Sequence, residues 1–386
     1  MRILTVLTYY RPHTSGLTIY AERLARAFVK RGHQVTVMTT RYDKILPREE
    51  MMDGVQVIRV PVVLRISKGV IAPTFGLVAA NQVWQHDVVQ LHLPQFEAPG
   101  VALRARLFNK PVVLTYHCDL LLPPGFFNRL VNLVVQFQNN MAAILADRIV
   151  TYTQDYADHS AFLSRYRRKL TPCLPPVELP LAEPRDIETF AQTYQTRLRQ
   201  PVLGMVTRFA AEKGVEVLLD ALPAVLERYP QAQVLFAGEF QNVMGEQAYS
   251  DRLMPRIMKY EEMGCWKFLG NLSQQQLAAY YPNLDVLVVP SLNSTEAFGL
   301  VQVEAMLNNV LCVASALPGV RRPVQMHAMG KVVPIGDSSA LAGALLEVFA
   351  EKEKYRCDKV KLAHQYDPDT VAAEYEKLFE NLMVKK

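Results

Sequence analysis

The stretch PVLGMVTRFAAEKGVEVLLDALPAVLERYPQAQVLFAG, residues 201–238, decides the fold. Its apolar run VLGMVTR (202–208) reads as a strand, VEVLLDALPAVLERY (215–229) reads as a helix, and QVLFAG (233–238) reads as a second strand. A helix between two strands returns the chain in the same direction, which makes a parallel βαβ unit. The strands are apolar on consecutive residues, so both faces are buried and helices must cover them.

The same alternation runs outward from this stretch. Upstream lie ILTVLTY (3–9), QVTVMTT (34–40), VQVIRVP (55–61), VVQLHL (88–93), PVVLTYH (111–117) and RIVTYT (148–153); downstream lie KFLG (267–270), DVLVVPS (285–291), VLCVAS (310–315) and KVVPIG (331–336). Between the two series, TPCLPPVELPLAEP (171–184) carries Pro172, Pro175, Pro176, Pro180 and Pro184, which deny backbone donors and fix φ. The expected architecture is α/β with two Rossmann-like domains. Residues 1–175 form the first and 201–365 the second, with a linker over 176–200. A C-terminal helix within 366–386 packs back on the first domain. A length of 386 residues suits two domains better than one.

Composition narrows the function classes. Half of the residues are hydrophobic and 20% are charged, which excludes disorder. The five cysteines, Cys118, Cys173, Cys265, Cys312 and Cys357, are odd in number and lack a C-x-x-C pair, so neither a disulfide framework nor a zinc site is expected and a reducing cytoplasm fits. Arg11 and Pro12 interrupt the apolar opening before a signal-peptide core forms. No apolar run reaches the roughly 18 residues of a membrane span, so any meeting with a membrane is at its surface. The net charge of +5 is uneven: residues 1–180 hold 21 Lys and Arg against 12 Asp and Glu, giving +9, and the remainder carries −4.

In open α/β sheets, ligands bind beyond the carboxyl ends of the strands, so the residues just after each strand carry the chemistry. After the first strand, Ser15 and Gly16 open a helix whose N-terminus suits an anion or is a plain turn. The G-x-G-x-x-G fingerprint of dinucleotide enzymes is absent there, which disfavours a nicotinamide dehydrogenase. His117 follows the fifth strand and reads either as a hydrogen-bonding, acid or base group or as a structural histidine; His92 in the preceding strand is its rival. Arg208 and Lys213 flank the loop before a helix N-terminus, where they bind a diphosphate or form surface ion pairs. Glu296 and Glu304 are eight residues apart, and a helix from 299 would set them on one face, with the N–H groups of Phe298, Gly299 and Leu300 open to phosphate. Carboxylates accept hydrogen bonds from vicinal hydroxyls, as sugar recognition requires; the plainer alternative is a capping acid and a surface glutamate.

Three other features carry two readings each. Asp367 and Asp369 resemble metal ligands but sit where a helix cap is needed. Phe126, Leu130, Leu133, Val134, Phe137, Met141 and Ile144 form a wide apolar helix face, for the core or for a lipid surface. Arg165, Arg167, Arg168 and Lys169 form a basic cluster of the kind that usually faces solvent.

Taken with TRFAAEKG (207–214), EAFGLVQVEAM (296–306), HCD (117–119) and RGHQVTVMT (31–39), the chain resembles the family 4 (GT4) retaining glycosyltransferases, and the resemblance extends through LPGVRRPV (317–324) and YDPDTVAAEYEKL (366–378). It implies a GT-B fold, with two Rossmann-like domains facing each other across a cleft. A UDP- or GDP-sugar would be held mainly by the C-terminal domain, without a cofactor or an obligatory metal. By motif, Gly16 would face the donor phosphates and His117 the donor sugar. Arg208 and Lys213 would neutralise the leaving diphosphate, with Glu296 binding sugar hydroxyls and Glu304 the ribose. The family suggests same-face attack, with the departing phosphate helping to deprotonate the acceptor. The expected acceptor is a sugar or a lipid-linked envelope precursor. The basic first half suggests peripheral contact with an anionic membrane and no nucleic-acid partner.

The sequence departs from the family at three places. Ser15 precedes a single Gly16 where two glycines are usual, and Pro175-Pro176 replaces a common Asn-Gly. Asn309 stands where a glycine ends the helix; asparagine is the next best residue in the left-handed region, so the turn is expected to survive. The rivals are a nucleotide-sugar epimerase or hydrolase of the same fold and a catalytically silent nucleotide-sugar-binding subunit. Intact Arg208, Lys213, Glu296 and Glu304 speak against the silent subunit.

Overall fold

The twelve apolar runs form twelve of the sixteen strands among the described residues of the computed structural model, which describes residues 1–66, 69–121, 125–355 and 357–384. They fall into two α/β units, one of Met1–Val177 with His364–Lys386 and the other of Glu178–Ala363.

The first unit contains β1 (Arg2–Val6), β2 (Gln34–Arg41), β3 (Glu49–Met52), β4 (Val55–Pro61), β5 (Leu64–Ile66), β6 (Gly69–Ile71), β7 (Val88–Leu93), β8 (Val112–Tyr116), β9 (Arg148–Thr151) and β10 (Leu170–Pro172). Its main sheet runs β10-β9-β8-β7-β1-β2-β4-β3, parallel except for β3 at one edge, and β5 and β6 pair apart from it. All six residues of β7 are buried, although Gln90 and His92 are polar. Helices α1 (Gly16–Lys30), α2 (Phe75–Gln85), α3 (Ala98–Leu107) and α4 (Phe126–Leu145) connect these strands. Ser15 caps α1, its hydroxyl accepting from the Thr18 N–H at 3.2 Å, while Tyr20, Leu24 and Phe28 turn inward.

The C-terminal helix (Pro368–Met383) packs on α1. Phe28 meets the rings of Tyr375 and Phe379, and Arg31 donates to both carboxylate oxygens of Glu376 at 2.7 and 2.6 Å. Asp367 caps this helix by accepting from the Thr370 N–H at 3.1 Å, which accounts for one acid of the Asp-Pro-Asp sequence.

In the second unit, β11 (Val202–Val206), β12 (Gln233–Ala237), β13 (Trp266–Gly270), β14 (Val286–Val289), β15 (Leu311–Ser315) and β16 (Gly330–Val333) form a wholly parallel sheet in the order β13-β12-β11-β14-β15-β16. The stretch 176–200, read above as a linker, differs in one respect: Pro184–Tyr194 forms helix α5 within this unit. Pro184 occupies its first turn, where a missing N–H costs nothing, and Phe190 is buried against the ring of Tyr280. Helix α6 (Val215–Arg228) follows β11, and α7 (Leu300–Leu307) follows β14. Asn309 after α7 has φ 62°, the left-handed turn that asparagine was expected to allow.

Among its parallel strands each sheet reverses its order once, beside β1 in the first unit and beside β11 in the second. At such a point the loops leaving two neighbouring strands diverge and open a crevice.

Candidate active site

In the second unit the reversal falls between β11 and β14, so the loops carrying the most conspicuous sequence motifs become neighbours. The Leu292 N–H donates to the Glu212 carbonyl at 2.9 Å and ties them together. Gly214, at φ 68°, allows this approach, since a Cβ there would lie 2.2 Å from the Pro290 carbonyl oxygen. Lys213 then reaches across, its Nζ donating to Glu296 Oε2 at 2.7 Å. The other oxygen, Oε1, accepts from the Gly299 N–H at 2.9 Å. Arg208 is half-exposed and donates to Glu212 Oε1 at 2.6 Å.

Gly299 takes φ 77°, ψ 70° and begins α7, which has no side-chain cap. Lys213 and Glu296 form an ion pair beside this helix start, and Arg208 is paired with Glu212 on the loop that carries Lys213. Of the three amides expected to meet phosphate, that of Gly299 is already engaged by Glu296. Glu304 is buried one turn into α7 and accepts from the Tyr281 hydroxyl at 2.8 Å. Burial and the neighbouring carboxylate push the Tyr281 phenol well above its usual range. The two glutamates are thus held by different partners, Glu296 on the loop and Glu304 against Tyr281. Sequence reasoning missed Tyr281, whose Tyr-Tyr-Pro-Asn context before β14 carries no motif.

In the first unit, Gly16 lies at the N-terminus of α1, and a Cβ there would meet nothing within 4 Å, so no neighbour demands glycine. His117 follows β8 at the sheet's carboxyl end, but its ring turns into the protein instead of standing free at the rim. Its Nε2 and His92 Nδ1 share a hydrogen bond of 2.8 Å, Nδ1 is bonded to the Tyr152 hydroxyl, and Tyr20 packs edge-on at 5.0 Å. Strands β7 and β8 are adjacent, which makes His92 a hydrogen-bond partner of His117. Burial, followed by the charge His92 would carry, holds the His117 imidazolium well below its usual pKa, and burial lowers His92 to about 3. Both rings are neutral at pH 7. The chain ends at His92 Nε2, buried without a hydrogen-bond partner among the described residues.

Among the described residues, no group of three His, Cys, Asp or Glu side chains could hold a metal ion, and no helix is long and apolar enough to cross a membrane.

The fold and these motifs match known proteins over nearly the whole chain. Residues 186–360 match the family described as glycosyl transferases group 1, and residues 15–173 match the glycosyl transferase 4-like domain. The chain is a glycosyltransferase of the GT-B fold. It is similar to a phosphatidyl-myo-inositol mannosyltransferase of Mycobacterium leprae, 25% identical over 99% of this chain and 97% of that protein. A glycogen synthase of Mycobacterium tuberculosis is also 25% identical, covering 96% and 92%. Among solved structures, Alr3699/HepE of Anabaena in complex with UDP aligns with a TM-score of 0.77 at 20% identity, over 99% of this chain and 100% of that one. A sucrose-phosphate synthase of Thermosynechococcus elongatus aligns at 0.75 with 21% identity, covering all of both chains. At these identities the solved structures attest the fold.

Proposed function

We propose that this glycosyltransferase moves a hexose, with retention, from a UDP- or GDP-sugar to a lipid-linked or envelope-glycan acceptor, on the cytoplasmic side of a membrane. The observation that carries this reading is the Lys213–Glu296 pair at the start of α7, with Arg208 beside it. A donor diphosphate takes Lys213 and Arg208 from their carboxylate partners and meets the amides around Phe298, Gly299 and Leu300. Glu296 and Glu304 then accept from sugar and ribose hydroxyls respectively. We propose Gly16, at the start of α1, as a further donor-binding residue. We propose His117, bonded to His92 and Tyr152, as a further residue of the reaction.

In the transfer, the bond from C1 of the sugar to the phosphate oxygen breaks. The bond from C1 to the acceptor oxygen forms on the same face, and the acceptor proton passes to the departing phosphate. Negative charge grows on that phosphate as the bond lengthens, so Arg208 and Lys213 act more strongly in the transition state than in the ground state. Their two positive charges fill the role that a metal plays in other transferases, and we propose metal-independent turnover. Likeness to a phosphatidyl-myo-inositol mannosyltransferase supports a lipid acceptor, and likeness to a protein solved with UDP-glucose supports a nucleotide-sugar donor.

A thermal-shift panel of UDP- and GDP-sugars tests the reading, since a ligand of the native state raises its stability. One nucleotide sugar should raise Tm, and Glu296→Ala should weaken that response and abolish turnover. No response to any member, or full turnover in Glu296→Ala, overturns it. Incubating donor without acceptor separates transfer from epimerisation or hydrolysis.

A further inference from the structure

Helix α4 is amphipathic, yet its apolar face is turned outward. Phe126, Leu130, Leu133, Phe137 and Ile144 are 88%, 53%, 65%, 61% and 56% exposed. Their spacing of four, three, four and seven residues keeps them within about 40° of one line along the helix. From Phe126 to Gln138 no described side chain is buried, although the stretch is rich in Leu, Val and Phe. A contiguous apolar stripe of this length on a monomer marks an interaction site.

The charges beside the stripe identify the partner. Helix α4 contains no Asp or Glu, and the 3-10 turn Leu163–Lys169 (LSRYRRK) has none either. That turn is fastened along the stripe. The Tyr166 hydroxyl donates to Asn140 Oδ1 at 2.8 Å, and Lys169 Nζ donates to the Ala143, Ile144 and Ala146 carbonyls at 2.9, 2.8 and 2.7 Å. Asn140 lies about 40° from the stripe's axis, on the same side as the exposed Arg129. Arg165, Arg167 and Arg168 on the same turn are exposed. An apolar ridge edged by cations and free of acids suits an anionic bilayer, with the apolar side chains entering the acyl boundary and the arginines meeting the headgroups. A second copy packed antiparallel along α4 would instead set like charges against each other along the same edge.

We propose that α4 and the Leu163–Lys169 turn form a docking surface for an anionic membrane. The inference extends the lipid-acceptor part of the proposed function, but it stands on the exposure of α4 itself.

The test is co-sedimentation of the full chain with vesicles containing phosphatidylglycerol and with vesicles of phosphatidylcholine alone. Binding is expected to the first and weakly, if at all, to the second. Arg165→Gln combined with Arg168→Gln should lower partition about twenty-five-fold, at about fivefold per cation. Leu133→Ser combined with Phe137→Ser should abolish it. Wild-type chain that binds neither vesicle, or an arginine variant that binds as wild type does, overturns the proposal. So does a concentration-dependent dimer, formed without lipid and lost in Leu133→Ser/Phe137→Ser, because the face then belongs to a second copy. The nucleotide-sugar thermal shift, measured on the same samples, keeps the two readings apart. Lost vesicle binding with an intact shift touches only the docking surface, and a lost shift with intact vesicle binding touches only the donor site.

Discussion

Replacing Lys213 with alanine separates a residue that binds the leaving phosphate from one that merely holds a loop. Lys213 Nζ sits 2.7 Å from Glu296 Oε2, and the two side chains are 15% and 23% exposed, so the pair lies between a solvated ion pair and a buried one. Glu296 keeps its bond from the Gly299 N–H when the lysine is gone, which limits the cost to about 1 kcal/mol. For a unit the size of Glu178–Ala363 that corresponds to a fall in Tm of about 2–4 °C. The kinetic loss should be far larger. Removing one preorganised group from a developing charge costs about 10²–10³ in kcat, or about 3–4 kcal/mol. The assay is nucleotide release at saturating donor and acceptor, with Tm measured on the same preparation and Lys213→Arg as the charge-retaining control. A variant that loses the expected few degrees but keeps kcat within about threefold of wild type would refute the assignment. A raised KM with unchanged kcat would mean that Lys213 binds donor and transition state equally well.

Other expectations follow from particular contacts. His92 and His117 are neutral when folded, so the unfolded chain takes up their protons first as pH falls below about 6.5. Stability present at higher pH is therefore lost on acidification, by about 1 kcal/mol for each ring between pH 6.5 and 5.5; urea titrations should show this slope, reduced by about half in His92→Gln. In Gly214→Ala a methyl group meets the Pro290 carbonyl in a left-handed backbone, which should cost about 2–4 kcal/mol and lower turnover by displacing Lys213; a wild-type Tm would overturn that account. The buried Tyr375 hydroxyl is bonded to Tyr20 at 2.8 Å and Thr115 at 2.9 Å. Tyr375→Phe leaves these groups short of a partner and should destabilise by about 1–2 kcal/mol, with faster hydrogen exchange in the C-terminal helix; unchanged exchange would count against that helix being latched there.

The parallel α/β architecture was legible in the sequence because burial on both faces leaves a local trace: consecutive apolar residues in strands, separated by helical stretches. The same holds for backbone requirements confined to one residue, such as the turn at Asn309 and the cap at Asp367. The motif residues could be picked out because α/β sheets place ligand groups at strand ends. Which residues meet was another matter. Lys213 and Glu296 are 83 positions apart and touch only because β11 and β14 are neighbours across the reversal of strand order. At His117 the sequence left a functional and a structural reading open; the pairing of β7 with β8 brings His92, 25 positions away, against its ring. In α4, periodicity told which side chains share a face but not what that face meets. Only the packed structure, in which no described side chain from Phe126 to Gln138 is buried, turned a core-like pattern into a surface. The sequence by itself determined local conformation and the chemistry available at each strand end. Tertiary structure decided the partners, because sheet order and helix orientation are set by long-range packing that no short window of sequence encodes.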